Sequence, residues 1–282
     1  MERLLAEGFF HDRDAALPYL MSGAVLCGGA PVRTGGQRIS AELPLVVRGL
    51  WDRYVGKGGY KLEGALSDFQ ADARGRICID AGACTGGFTD CLLQHGASLV
   101  YAVEVGFGQL AGSLRQDARV VNLEKTNLGD EALLALSPTP TLGSVDLSYL
   151  SLEKAVPLYR AIMRGTGELL CLVKPLFETD DATARRTGQL DESTYAPLLR
   201  ALCARLNAQP DTAVAGVTHS HVTGNNGTRE FFLHVKFGNE NAPLAGEALE
   251  MQIEKAVDAA LELTRFKAQP GTRPEPPPES AR

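Results

Sequence analysis

No run of about 18 or more apolar residues occurs in this chain, so no transmembrane helix is expected. The opening MERLLAEGFFHDRD carries acids early and lacks a cleavable apolar core, which argues against a secretory signal. Cysteine is sparse and unpaired. The six residues Cys27, Cys78, Cys84, Cys91, Cys171 and Cys203 form no C-x-x-C pair and have no neighbouring histidine. Buried reduced thiols in a cytoplasmic protein are expected, without a zinc site. His219 and His221 stand two apart, yet no third metal ligand is evident beside them, so no metal is expected. Positive charge is not in excess either: the net charge of −6 offers no global attraction to nucleic acid, and any RNA-binding surface must be a local patch. There is no G-x-x-x-x-G-K-[ST] loop to cradle phosphates and no clean G-x-G-x-x-G turn. No internal repeat is visible.

What is present is an ordinary globular composition, 44% apolar and 22% charged over 282 residues, enough for one large domain and a small one. Residues 1–48 read as a small α+β module: LLAEGFF and RDAALPYLMSG as short helices, AVLCGGAPV as strand, turn and strand, ELPLVV as a third strand. A Gly-rich linker covers 49–60, with Trp51 expected to pack between domains. From Lys61 the pattern alternates: helix 61–73, strand 77–81, helix 87–95, strand 99–104, helix 108–115, strand 119–122, strand 143–147, helix 151–163, strand 167–173, helix 191–208, strands 211–218 and 229–237. The last two are expected to pair as a hairpin through the NNG turn. Alternation of this kind specifies an α/β domain over 61–267, a doubly wound Rossmann-like sheet, mostly parallel with an antiparallel last strand. Residues 244–266 read as an amphipathic helix and 268–282 as a proline-rich disordered tail.

The densest signal is ICIDAGACTGGFTDCLLQHGASLVYAVE, a strand, a glycine turn under a helix, and a second strand tipped by Glu104. The turn runs Asp80, Gly82, Ala83, Cys84, Thr85, Gly86, Gly87. An acidic Asp80 would repel a pyrophosphate but could accept from a cationic amino-acid group. Glu104 is placed for the two hydroxyls of a ribose. Together they suit S-adenosylmethionine better than NAD. A structural turn followed by a surface glutamate would give the same letters.

Four polar residues fall at element ends on one side of such a sheet. Lys61 opens the first helix, Asp146 closes a strand in SVDLSYLSL, Lys174 follows the apolar LLCLV, and Glu230 starts the last strand in TREFFLHV. Methylation of a poorly acidic ribose hydroxyl needs this set: a base, a neighbouring positive charge, and carboxylates that orient them. A lysine is a base only when neutral, which desolvation or a second ammonium favours and nearby carboxylates oppose. Surface ion pairs at strand ends are the alternative. Arg185-Arg186 reads as a solvated loop.

The segments KGGYKLEGAL, DAGACTGGFTDCLLQHGA, VYAVEVGFGQLAGSLRQDARVVNLEKTN, VDLSYLSLEKAVP, LVKPLFE and TREFFLHV, in this order, resemble the TlyA family, whose members carry both hemolysin and ribosomal RNA 2′-O-methyltransferase names. The resemblance, over about residues 4–237, implies an FtsJ-like methyltransferase fold with a catalytic tetrad on Lys61, Asp146, Lys174 and Glu230. It places donor binding on Gly82 to Gly87, Glu104, Asp146 and the adenine-side segment with Thr126 and Asn127. The N-terminal module resembles the S4 RNA-binding domain of the same family, starting inside its usual first helix. Seven Lys/Arg face six Asp/Glu in residues 1–60, and only Arg13, Arg33, Arg38, Arg48, Arg53 and Lys57 could cluster on phosphates. Cys84 stands where the family has a small hydroxyl residue, Leu176 where a polar residue is common, and a Gly-Lys-Gly-Gly-type loop is missing after Glu178.

The expected function is S-adenosylmethionine-dependent 2′-O-methylation of ribosomal RNA on ribosomal subunits. A non-catalytic RNA- or ribosome-binding protein that keeps the fold is the alternative. A membrane-active hemolysin is not expected, because helix 244–266 carries Glu247, Glu250, Glu254 and Glu262, which anionic lipid would repel.

Overall fold

The computed structural model describes residues 1–7, 9–10, 13–43, 45–47, 53–179, 181–187, 189–224 and 227–264. Gly8, Arg48, Trp51, the Asn225-Asn226 turn and the tail 268–282 lie outside the described residues. The chain divides into two compact units, one built on Met1–Lys57 and one on Gly58–Phe266.

The smaller unit contains α1 (Glu2–Ala6), α2 (Arg13–Met21), β1 (Val25–Cys27), β2 (Ala30–Pro31) and β3 (Leu45–Val47). Its sheet has the order β2-β1-β3, all antiparallel. Gly28 (φ +57) and Gly29 (φ +87) turn β1 into β2, in a conformation that residues with a Cβ adopt at a cost. Leu4, Phe10, Ala16, Leu20, Val25, Cys27, Val32, Leu45 and Val47 make its core.

The larger unit runs α3 (Gly58–Asp68), β4 (Ile77–Ala81), α4 (Gly87–Gln94), β5 (Leu99–Glu104), α5 (Gly112–Arg115), β6 (Val120–Glu124), β7 (Leu142–Val145), α6 (Leu152–Ile162), β8 (Gly167–Val173), α7 (Pro175–Glu178), α8 (Ala182–Thr187), α9 (Tyr195–Asn207), β9 (Thr212–His219), β10 (Phe231–Phe237) and α10 (Gly246–Glu262). Seven strands form one sheet in the order β6-β5-β4-β7-β8-β10-β9. β4 to β8 pair in parallel, and β10 lies antiparallel between β8 and β9. Strands buried on both faces read as apolar runs, as in LLCLV of β8. Odd-numbered residues of β4, β5, β8 and β10 join α6, α9 and α10 in one core, while Phe232 of β10 meets Phe88 of α4.

Several boundaries differ from expectation. The first helix starts at Gly58, inside the expected linker, and stops at Asp68 rather than 73, because Gln70 takes a left-handed backbone (φ +51) and Ala71 N–H bonds back to Leu66 O. The helix expected over 108–115 shortens to α5, because the backbone amides of Gln109 and Leu110 donate to the Glu124 carboxylate instead of continuing a helix. The helix expected over 244–266 spans Gly246–Glu262, and its Ile253, Ala256 and Ala260 are buried in the core. Among the described residues no helix is long and apolar enough to cross a membrane.

Candidate active site

Strand order reverses at β4, with β5 and β6 on one side and β7 and β8 on the other. Ligand crevices of doubly wound sheets lie at the carboxyl ends of the strands at such a point. Here the buried Tyr159 of α6 enters between the two strands: its hydroxyl donates to Ser144 O (2.5 Å) and accepts from Ala81 N–H (3.1 Å). One strand step on, Asp146 N–H closes the ladder on Ala81 O at 3.0 Å.

The glycine turn lies over this junction. Gly82 has φ +81, and a Cβ there would come within 2.3 Å of Asp146 O, so only glycine lets the turn rest on the β7 end. Gly86 (φ +97) precedes α4. A Cβ on Gly87 would approach Gly59 N at 3.0 Å and Gly58 Cα at 3.2 Å. The glycines that were expected to loosen a linker therefore form a close backbone contact, which fixes α3, and Lys61 with it, against the start of α4.

Glu104 caps the turn. Its Oε2 accepts from Cys84 N–H (2.9 Å) and its Oε1 from Gly106 N–H (2.8 Å), and each oxygen keeps a lone pair for a diol. Thr126 N–H donates to Glu104 O (3.0 Å), which brings the segment after β6 beside it. The side chain of Asn127 is folded back, its Oδ1 accepting from Gly129 N–H (2.9 Å). Ala83 is buried.

Two expectations are corrected. Asp80 has no exposed surface: its oxygens accept from Thr89 Oγ1 (2.7 Å) and Ser144 Oγ (3.0 Å), so direct contact with a donor's amino group is not open to it. Burial pushes its carboxyl up to about 7, against the pull of the Thr89 and Ser144 hydroxyls. Cys84 is exposed, unlike the other five cysteines; it sits in the turn with a left-handed backbone (φ +49). Burial of part of the Cys84 thiol still raises its pKa.

The four polar residues pair off. Lys61 Nζ lies 2.6 Å from Glu230 Oε2, both side chains under 10% exposed. Lys174 pairs with Asp146, and its Nζ donates to Ser148 Oγ at 3.2 Å. In β10 Phe231 stands opposite Val173 of β8, so Glu230 and Lys174 adjoin the same end of that strand pair. Neither Asp146 nor Glu230 lies in its strand; each adjoins the strand end.

Sequence reading missed the side chains around Lys174. Ser148, Tyr149, Phe177, Lys154, Arg185 and Arg205 are among those lining a cleft of about 610 Å³. Lys174 Nζ stands 5.9 Å from the Phe177 ring centre, and half of Tyr149 is exposed. Exposed aromatics one turn beyond Asp146 and Lys174 were the available signal. Arg185, expected in a solvated loop, lies on α8 and faces this cleft. In the smaller unit Arg13, Arg33, Arg38 and Arg53 are exposed, Lys57 is partly buried, and Arg53 stacks 5.3 Å from the Tyr54 ring centre.

S-adenosylmethionine fits these residues: an acceptor-rich rim of Glu104 and Asp146 suits a diol and an ammonium, and the glycine turn leaves backbone N–H groups close to the crevice. A model of the FtsJ-like methyltransferase family matches residues 54–237. The 16S/23S rRNA (cytidine-2′-O)-methyltransferase TlyA of Mycobacterium tuberculosis is 34% identical over 259 residues, 90% of this chain and 95% of that protein. Hemolysin A of Brachyspira hyodysenteriae is 34% identical over 66% of this chain and 78% of its own. A solved structure of a hemolysin-named protein from Streptococcus thermophilus superposes with a TM-score of 0.67 at 32% identity, covering 91% of this chain and 94% of that one. The tetrad, the glycine turn and these likenesses agree: the chain belongs to the FtsJ-like methyltransferases, in their TlyA/hemolysin A branch, and is an S-adenosylmethionine-dependent enzyme.

Proposed function

We propose that this protein methylates the ribose 2′-hydroxyl of cytidine in ribosomal RNA, acting on ribosomal subunits in the cytoplasm. The observation that carries the reading is the two ion pairs, Lys61–Glu230 and Lys174–Asp146, with Asp146 under the Gly82 turn.

When bound, the donor supplies an electrophilic sulfonium methyl. Glu104 would hold its ribose, Thr126 and Asn127 would border the adenine, and Asp146 and the turn backbone would border the amino-acid end. Lys174, held by Asp146 and Ser148, is placed to orient the acceptor hydroxyl and, once it has given up its own ammonium proton, would take the hydroxyl proton as the O–CH₃ bond forms and the methyl–sulfur bond breaks. Lys61, fixed by Glu230 in a nearly dry setting, stabilises the oxygen as negative charge develops on it. The Tyr149–Phe177 cleft offers aromatic surface to the acceptor nucleotide, with Lys154 and Arg185 available to phosphates. Arg13, Arg33, Arg38, Arg48, Arg53 and Lys57 would extend the contact as an S4-like module.

The test is transfer of radiolabelled methyl to purified ribosomal subunits from cells lacking the protein. Label in alkali-resistant dinucleotides, lost with Lys174→Ala, supports the reading. Label in bases, or none on either subunit with donor binding intact, refutes it. Membrane lysis is not favoured, since Ile253, Ala256 and Ala260 of α10 are buried in the core.

A further inference from the structure

His219 and His221 lacked a third ligand in the sequence, and α3 provides it. Asp68, the last residue of α3, joins His219 and His221 in a group whose ligand atoms all lie within 4.8 Å of one another. His219 ends β9 and His221 follows two residues on, their rings stacked with centres 4.8 Å apart. Asp68 Oδ2 stands 2.9 Å from His221 Nε2 and accepts from Thr218 Oγ1 at 2.6 Å.

The surroundings are those of a prepared site. The His221 ring is pressed on Gly64, where a Cβ would lie 2.6 Å from Cγ and 2.8 Å from Nδ1, so the helix backbone covers one ring nitrogen and Nε2 faces Asp68. The Thr218 hydroxyl also donates to Asp68 Oδ2, leaving Oδ1 open, and supplies the outer hydrogen bond that ligating carboxylates need. An adjoining cleft of about 550 Å³, lined by His221, Glu63, His95 and Tyr60 among others, gives an ion and its waters a path. Lys255 of α10, within electrostatic reach of His219, opposes a cation; Asp68 and the cleft's Glu63 offset it.

We propose that Asp68, His219 and His221 bind a divalent transition-metal ion, with zinc as the best match to two imidazoles, one carboxylate and an open fourth position. Ligand atoms around zinc sit roughly 3.3 Å apart when bonds are about 2.0 Å; the three here lie within 4.8 Å of one another, so all three side chains, His219 included, would close on the ion. The ion fastens the end of α3 to β9. Lys61 lies seven residues upstream on the same helix, so the metal is a second clamp on the element that carries it. This site is independent of the methyl-transfer reading.

The experiment titrates tag-free, reduced, chelator-stripped full-length protein with ZnCl₂ by calorimetry, alongside visible absorption with Co²⁺. Expected are one zinc per chain at micromolar affinity or tighter, cobalt bands of nitrogen–oxygen ligation, and a zinc-dependent rise in Tm. His219→Gln and His221→Gln should each weaken binding about tenfold or more, with metal-free Tm reporting that they fold. Cys84→Ser should leave binding unchanged. No heat and no Tm shift, binding that survives His219→Gln/His221→Gln, or binding lost with Cys84→Ser would each overturn the proposal.

Discussion

Near the N-terminal edge of the large sheet one carboxylate, Glu168, is shared by Arg76 and by His234 Nε2 (2.6 Å), while Arg76 also bonds the Thr141 carbonyl. At the opposite edge two carboxylates, Glu230 and Asp146, each hold one lysine. The ingredients are alike, but the connectivity differs. Glu168 lies at the start of β8, and its partners continue into the fold, Arg76 onto Thr141 and His234 against the Phe69 ring. Lys174 donates to Ser148 Oγ, and Ser148 lines a cleft together with Tyr149 and Phe177. A polar cluster whose partners continue into the fold is a fastening, whereas one bonded to a cleft-lining side chain is placed for chemistry.

The sharpest break in this comparison comes from Lys174→Ala. It should lower kcat by about 10²–10⁴-fold while Tm barely moves, because the Lys174–Asp146 pair is partly exposed; single-turnover methyl transfer and calorimetry check both halves. Lys61→Met should lose activity and also about 3–5 kcal/mol of stability, since it leaves Glu230 buried without its cation, and urea unfolding would show the cost.

Glu168→Gln should behave in the opposite way, with kcat kept and about 2–3 kcal/mol of stability lost. Burial raises the Glu168 carboxyl, but the hydrogen bonds and charges of His234 and Arg76 outweigh it and hold it at about 2. The folded state thus sheds this proton more readily than the unfolded chain. Its stabilisation is complete above the ordinary value of 4.5 and disappears as pH falls toward 2, so the variant should flatten the acid limb of a Tm–pH curve.

Asp80 has the reverse sign and the smallest effect. Its carboxyl, lifted from 3.8 to about 7, makes the folded state hold the proton more tightly, so stability falls as pH rises through that window. Asp80→Asn should be more stable than wild type at pH 8, an advantage that vanishes near pH 4. Equal Tm differences at both pH values would show that the buried carboxyl carries no such cost.

The strands were legible because long apolar runs such as LLCLV end abruptly in a charged residue, a pattern that survives without knowing what packs on it. The role of Asp80 was not legible. The letters D-x-G do not say that Thr89 and Ser144, 9 and 64 residues away, turn the carboxylate inward. Asp68 was hidden for the same reason: it looks like a solvated helix end until β9 arrives, 150 residues later in the chain. Gly58 and Gly59 were read as part of a Gly-rich linker, and only the facing Gly87 shows that room for backbone was the requirement.

That meeting of Gly58 and Gly59 with Gly87 has a consequence for noise. A joint made of backbone alone has no rotamers, so it neither samples alternatives at rest nor loses side-chain entropy when the crevice fills. Lys61 and the donor turn therefore keep one spacing without any ligand to set it. The alignment is established once, when the chain folds, and not again at each turnover.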